Sequence, residues 1–154
     1  MNFDDKYTFN EISHDKLYET LELVRDVFME FEAPDYSDEG IEEFLRFLDP
    51  VEITDMLEEY KLRIWICEYN NKVVGMIAAR EEHINLLFVG GEHHRRGIAR
   101  RLLEIMTDYY KPPVITVNSS PYAVEAYRRM GFTETGPEQE VCGIRFIPMV
   151  RELK

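Results

Sequence analysis

Residues 84–106, INLLFVGGEHHRRGIARRLLEIM, fix the reading of everything around them. An apolar run from Ile84 to Val89 meets a glycine-flanked, arginine-rich turn, and Ile98, Leu102 and Ile105 then follow at helical spacing. The stretch therefore predicts strand, tight turn and helix. The first backbone N–H groups of a helix lack intrahelical partners and point outward, so such a junction forms a site for an anionic group. Two common nucleotide motifs do not fit it. The GK[ST] ending of a P-loop is missing, and Gly90-Gly91 do not begin a GxGxxG fingerprint.

Downstream, Pro112-Pro113 stop the helix, and Val114–Val117 form a short continuous apolar strand suited to a buried parallel position. Ser120 is a helix cap with Pro121 at the first position, and Gly131 closes that helix. Two strands finish the chain, one around Thr133–Thr135 or Glu140–Cys142 and one over Ile144–Val150. Upstream, 63–68 and 72–80 read as strands joined by Tyr69-Asn70-Asn71, whose asparagines suit the positive φ of a tight hairpin turn. Before them the period is helical. Ser13 offers a cap for a helix carrying Leu17, Leu21, Val24, Phe28 and Phe31 on one face until Pro34. A second helix follows Ser37 with Ile41, Phe44, Leu45 and Leu48, and a third carries Ile53, Met56, Leu57 and Tyr60. Tyr7–Ile12 begins the chain as a short strand. The order is mixed α/β with at least one strand–helix–strand crossover.

At 154 residues the chain suits one domain over 1–154, large enough to bury a core without disulfides. Cys67 and Cys142 lie far apart with no CxxC spacing, and His93 and His94 are adjacent with no HExxH pairing, so no metal site is expected. MNFDDKY is not a secretory signal, and no apolar run approaches the roughly 20 residues of a membrane span, so a cytoplasmic protein without a membrane partner is expected. The net charge of −12 is concentrated early, with 19 Asp and Glu against 4 Lys and Arg in residues 1–60. That balance disfavours nucleic acid and is compatible with a cationic small-molecule or peptide partner.

Two segments together carry a family resemblance. LFVGGEHHRRGIARRLLE, followed after a short strand by VNSSPYAVEAYRRMGF, resembles the paired signature motifs of the GNAT superfamily of acetyl-CoA-dependent N-acyltransferases. The resemblance implies a mixed, mostly antiparallel twisted sheet of about six to seven strands, flanked by helices and splayed at its central strands. The family's pyrophosphate turn reads Gln or Arg, two residues, Gly, one residue, Gly or Ala. Here it is His94-Arg95-Arg96-Gly97-Ile98-Ala99, matching at Gly97 and Ala99 and departing at His94. Small residues let the anion approach the helix start, while Arg95, Arg96 and Arg100 can add charge-assisted contacts.

By the same resemblance, main-chain groups of Leu87, Phe88 and Val89 pair with the pantetheine arm of acetyl-CoA as an added strand would, and a backbone N–H meets the thioester carbonyl. Tyr127, in the pattern Ala123, Tyr127, Gly131, Phe132, is placed to donate a proton or hydrogen bond to the departing thiolate. Asn118 is assigned to the pantetheine or a bound water. Direct attack by a primary amine in a ternary complex requires a base, for which Glu81, Glu82, His83 and water are candidates and Glu82 is preferred. Phe28, Phe31, Tyr36 and Phe44 are candidates for the acceptor wall, among the acidic neighbours Glu30, Glu32, Asp35 and Asp38. Acetyl-CoA is the implied cosubstrate, a cationic amine the expected acceptor, and a monomer or homodimer the expected assembly. A non-catalytic acyl-CoA sensor is the alternative, and a partner-binding domain without CoA a further one.

Overall fold

A computed structural model describes residues 3–153, so the extreme ends of the 1–154 span lie outside it. Among the described residues there are eight strands: β1 (Tyr7–Glu11), β2 (Arg63–Tyr69), β3 (Lys72–Arg80), β4 (His83–Val89), β5 (Val114–Ser119), β6 (Thr133–Glu134), β7 (Gln139–Val141) and β8 (Ile144–Glu152). They form one mostly antiparallel sheet in the order β1-β2-β3-β4-β5-β8-β6, with β7 paired to β8. Both segments left open near the C-terminus are strands, which brings the count to eight.

Five α-helices among the described residues cover the sheet: α1 (Leu17–Val27), α2 (Asp38–Phe47), α3 (Pro50–Glu59), α4 (Ile98–Tyr110) and α5 (Val124–Arg129). Two apolar clusters divide between the faces. Leu17, Leu21 and Val24 of α1 and Ile53 of α3 pack with Ile64, Met76, Leu86 and Phe88 on one side. On the other, Ile98, Leu102 and Met106 of α4 meet Trp65, Ile77, Ile84 and Tyr127. Local chemistry sets most boundaries. Asn70 and Asn71 turn the β2–β3 hairpin at φ 51° and 68°, Ser37 caps α2 by accepting the Gly40 N–H at 3.2 Å, and Asp49 with Pro50 opens α3.

The first helix departs from expectation. It leaves α geometry after Val27, passing through a π turn at Phe28–Glu32 and a 3-10 turn at Ala33–Asp35. Ser13 precedes a 3-10 turn and makes no side-chain cap bond. The extra residue of a π turn shifts the helical phase, and such turns often occur at functional sites.

Two irregularities in β4 position the site. Against β3, Ala78 pairs with Leu86 and Ala79 with Ile84, leaving Asn85 as the extra residue of a β-bulge. The bulge reverses which face even-numbered residues occupy: Ile84 packs toward α4, whereas Leu86 and Phe88 pack toward α1. Against β5, the parallel ladder has only two pairs, His83 with Thr116 and Ile84 with Val117. Beyond them β5 continues with β8 and β4 with β3, so the two central strands part at Asn85.

Candidate active site

The parted strands enclose a cleft of about 590 Å³. Asn85–Phe88 line it from β4, Val117–Ser119 from β5, and Tyr127 from α5. The β5-facing backbone edge of β4 after Ile84 has no partner strand, which leaves donors and acceptors available to an extended ligand. His83 sits at the floor, with Nδ1 2.8 Å from the Thr116 Oγ1. Burial and Arg80 lower its pKa, favouring the neutral imidazole.

At the other end of β4, Gly91–His93 form a 3-10 turn and His94 is extended at φ −64°, ψ 153°. Arg95 and Gly97 then take positive φ of 64° and 84°, bringing the chain into α4. The His94 Nε2 lies 2.6 Å from the Val89 carbonyl oxygen. A carbonyl only accepts, so Nε2 carries the hydrogen and the ring fastens the turn to the end of β4. Phe31 packs on that ring at 4.9 Å between centroids. Arg96 donates to the Tyr7 hydroxyl at 3.3 Å, and that hydroxyl also meets His93 Nδ1 at 2.8 Å, tying the turn to β1. Arg100 donates to the Arg129 carbonyl at 3.0 Å, while Arg95 is exposed. Gly97 precedes helical residues Ile98, Ala99 and Arg100, whose N–H groups open the helix. The Ile98 side chain is buried, so only its backbone faces an anion.

Tyr127 is buried, packs edge-to-face on Phe132, and lines the cleft. Burial, reinforced by the charge of Glu32, raises its pKa, so the phenol is neutral throughout the ordinary pH range. Glu32, the last residue of the π turn, also lines the cleft and is only 9% exposed. Burial pushes its carboxyl up to about 7; the Asp35 charge adds to this and the Ser120 hydroxyl opposes it. Ser120 itself caps the turn before α5 by accepting the Ala123 N–H at 3.3 Å.

Several sequence-predicted residues thus converge and others do not. Leu87, Phe88, Asn118, Tyr36 and Tyr127 line the cleft. Val89, adjoining it, takes the His94 bond, while His94 to Arg100 form the turn. Glu82 lies in the exposed β3–β4 turn, where its carbonyl accepts the Thr116 N–H at 2.9 Å; its side chain is outside the cleft lining, as is Glu81. Phe28 is fully buried, stacked on Phe44 at 4.0 Å. Phe31 stands beside the pyrophosphate-type turn. Of the aromatic residues expected on the acceptor wall, Tyr36 and Phe44 do line the cleft, joined by Phe47 and Phe146. The sequence places Glu32 only among the acidic neighbours of that wall and gives it no part in proton transfer, although it falls four residues after Phe28 and continues the 24–28 step of the buried stripe. A carboxylate in that phase was the available signal.

The family description "Acetyltransferase (GNAT) domain" matches residues 32–153. The uncharacterized N-acetyltransferase YafP of Escherichia coli (strain K12) is 32% identical over 82 residues, 53% of each chain. The chain spans about half the length of the curated relatives it matches. A GCN5-related N-acetyltransferase from Rhodopseudomonas palustris superposes with a TM-score of 0.81 at 15% identity, covering 99% of both chains. The PaiA N-acetyltransferase from Thermoplasma acidophilum, solved with coenzyme A, gives 0.74 at 17% identity, covering 96% of this chain and 99% of that one. With the family match extending over most of the sequence, and the parted β4–β5 sheet behind it, the chain belongs to the GNAT acetyltransferase family.

Proposed function

We propose that the chain, as one domain over 1–154, transfers an acetyl group from acetyl-CoA to a primary amine by direct attack in a ternary complex. The observation that carries this reading is the cleft at the β4–β5 parting, which has a free strand edge along one wall and both Glu32 and Tyr127 in its lining. The residues fit the cosubstrate. The α4 N-terminus behind Gly97 suits a pyrophosphate, and the open edge of Leu87–Val89 suits the amides of pantetheine. The Thermoplasma relative solved with coenzyme A supports the same ligand. Bound acetyl-CoA supplies an activated acetyl group as a thioester.

The protein residues handle charge and protons. Glu32, with its carboxyl near 7, replaces Glu82 as the proposed base, because it lies in the cleft and is poised to take a proton from an ammonium group at neutral pH. A backbone N–H of the β4 edge stabilises negative charge developing on the carbonyl oxygen. A phenol with a raised pKa gives up its proton reluctantly, so Tyr127 acts as a hydrogen-bond donor to the departing sulfur. The nitrogen gives up two protons in all: the first passes through Glu32 to solvent, and the second, lost after attack, is held by Glu32 and restores the thiol, since an acid near 7 is stronger than an ordinary thiol at about 8.5. The acceptor is a cationic small-molecule or peptide amine: aromatic side chains wall the cleft, Glu32 and Glu52 bring carboxylates to it, and the lining arginines Arg46 and Arg145 are paired with Glu43 and Glu138.

Thiol release from acetyl-CoA across cationic, neutral and anionic amines tests this. Wild type releases thiol in an amine-dependent way, fastest with cationic amines. Tyr127→Phe slows turnover about 10- to 100-fold with coenzyme A affinity little changed. Tight coenzyme A binding without amine-dependent release would leave an acyl-CoA-binding module instead.

A further inference from the structure

Phe31 stands between two turns that carry opposite ends of the site. Its ring lies 4.9 Å from that of His94, in the anion-binding turn, and 5.5 Å from that of Tyr122, in the Pro121–Ala123 turn that leads into α5 and Tyr127. The backbone of the first turn is equally close: a Cβ added at Gly91 would come to 3.0 Å from Phe31 Cζ. The next residue in the chain is Glu32, which lines the cleft.

A π turn is a rare continuation of an α-helix, so contacts from elsewhere in the fold must hold this one. Two aromatic anchors are present. Phe28, its first residue, is fully buried and stacked on Phe44 of α2. Phe31 anchors the other end, and its neighbours come from the β4–α4 and β5–α5 connections. Regular α geometry after Val27 would turn Glu32 to a different direction about the helix axis. Without the Phe31 ring, nothing adjoining Glu32 on its N-terminal side opposes that change.

The groups around the Glu32 carboxyl are few. The Ser120 hydroxyl favours its charged form, the exposed Asp35 opposes it, and the phenols of Tyr36 and Tyr127 are neutral. On β8, Arg145 is paired with Glu138. Arg25 and Asp26 of α1 and Glu30 of the π turn are exposed. Burial is the largest influence on this carboxyl, so whatever maintains its burial governs its titration.

We infer that Phe31 is a positioning residue: held between the rings of His94 and Tyr122, it fixes the end of the π turn and keeps the Glu32 carboxyl inside the cleft. The anion-binding turn thereby becomes one support of the base. The consequence for catalysis rests on the transferase reading above; the placement of the carboxyl does not.

Phe31→Ala removes the wedge, and Phe31→Met restores an apolar side chain able to contact both rings. In Phe31→Ala the limb of the kcat/KM profile is expected to fall from near 7 by about one unit or more, as the carboxyl gains solvent, with amine kcat/KM about tenfold lower or worse. Phe31→Met is expected to recover most of both. A second readout needs no turnover. Glu32→Gln raises the melting temperature at pH 8 only while Glu32 is buried, so its gain in the Phe31→Ala background should be less than about half that in wild type. Tyr122→Ala, which removes one half-exposed ring and leaves residue 31 intact, should shift both readouts in the same direction by less. A limb that stays near 7 in Phe31→Ala, an equal gain in both backgrounds, or a loss confined to coenzyme A affinity would overturn the inference. Absence of amine-dependent thiol release in wild type would instead overturn the transferase reading, with the melting comparison still deciding the role of Phe31.

Discussion

Replacing Glu32 with glutamine separates its two consequences, one for stability and one for catalysis. An ordinary glutamate carboxyl titrates near 4.5 and that of Glu32 near 7. The folded chain thus holds a proton at this site that the unfolded chain has released, and ionisation opposes folding. The stability gained from the protonated form is fully present below pH 4.5 and is lost as pH rises through 7. At 1.36 kcal/mol per pKa unit the loss totals about 3 kcal/mol, a figure applicable to a side chain this buried. Glutamine is neutral throughout and avoids that loss. At pH 8, Glu32→Gln is expected to melt about 6–12 °C above wild type, and the gap should close toward pH 4.5. In the same variant, kcat/KM for the amine should fall at least 100-fold and lose the limb near pH 7 that wild type displays. His83 does not account for that limb, because burial lowers its pKa below the ordinary 6.5. Paired measurements of thermal unfolding and kcat/KM between pH 5 and 8 decide the matter. A melting-temperature gap independent of pH, or a glutamine variant that keeps the limb near 7, would refute the reasoning.

Two further substitutions test the anion-binding turn and the hairpin beside the cleft. His94→Ala removes the donor to the Val89 carbonyl, a bond worth about 1 kcal/mol net, and should weaken coenzyme A binding about fivefold by calorimetry. His94→Gln, which restores an N–H donor, should stay within twofold of wild type; equal affinity in all three proteins would remove the fastening role. At Gly40, an added Cβ would overlap the Gly143 carbonyl oxygen, where the β7–β8 hairpin rests on α2. Since that hairpin brings Val141 and Cys142 to the cleft, Gly40→Ala should cost about 1–3 kcal/mol and raise the acceptor KM without altering coenzyme A affinity. A melting temperature unchanged within 1 °C would count against this close packing.

The sheet and its crossover were legible because their signals are local. The asparagine pair at 70–71 takes the positive φ its chemistry suggested, and Pro112-Pro113 follow the last turn of α4. The acceptor side was less legible for a reason visible in α1. A uniform 3.6-residue period puts Leu17 through Phe31 on one stripe, and this made Phe28 and Phe31 candidates for a pocket wall. The π turn breaks that phase at Phe28–Glu32: Phe28 is stacked under Phe44, Phe31 lies against His94, and Glu32 enters the cleft. Its raised pKa has no local signature either, because the burial behind it comes from packing between distant segments of the chain.

The bulge and the parting of β4 from β5 have linked consequences. An uninterrupted period of two would keep Ile84, Leu86 and Phe88 on one face; the extra residue instead gives Ile84 to the α4 side and Leu86 and Phe88 to the α1 side. Both apolar faces are therefore filled on either side of Asn85, and neither cluster requires its side chain. A polar residue can stand at the vertex without depriving the core of a contact, at a cost limited to one unmet acceptor, about 1–3 kcal/mol. Deleting Asn85 to restore a regular β3–β4 ladder would shift His83 and the β3–β4 turn by one register step relative to Thr116. The bulge in the β3–β4 ladder and the parting of β4 from β5 thus meet at one residue, and a continuous β4–β5 ladder would close the open edge of β4.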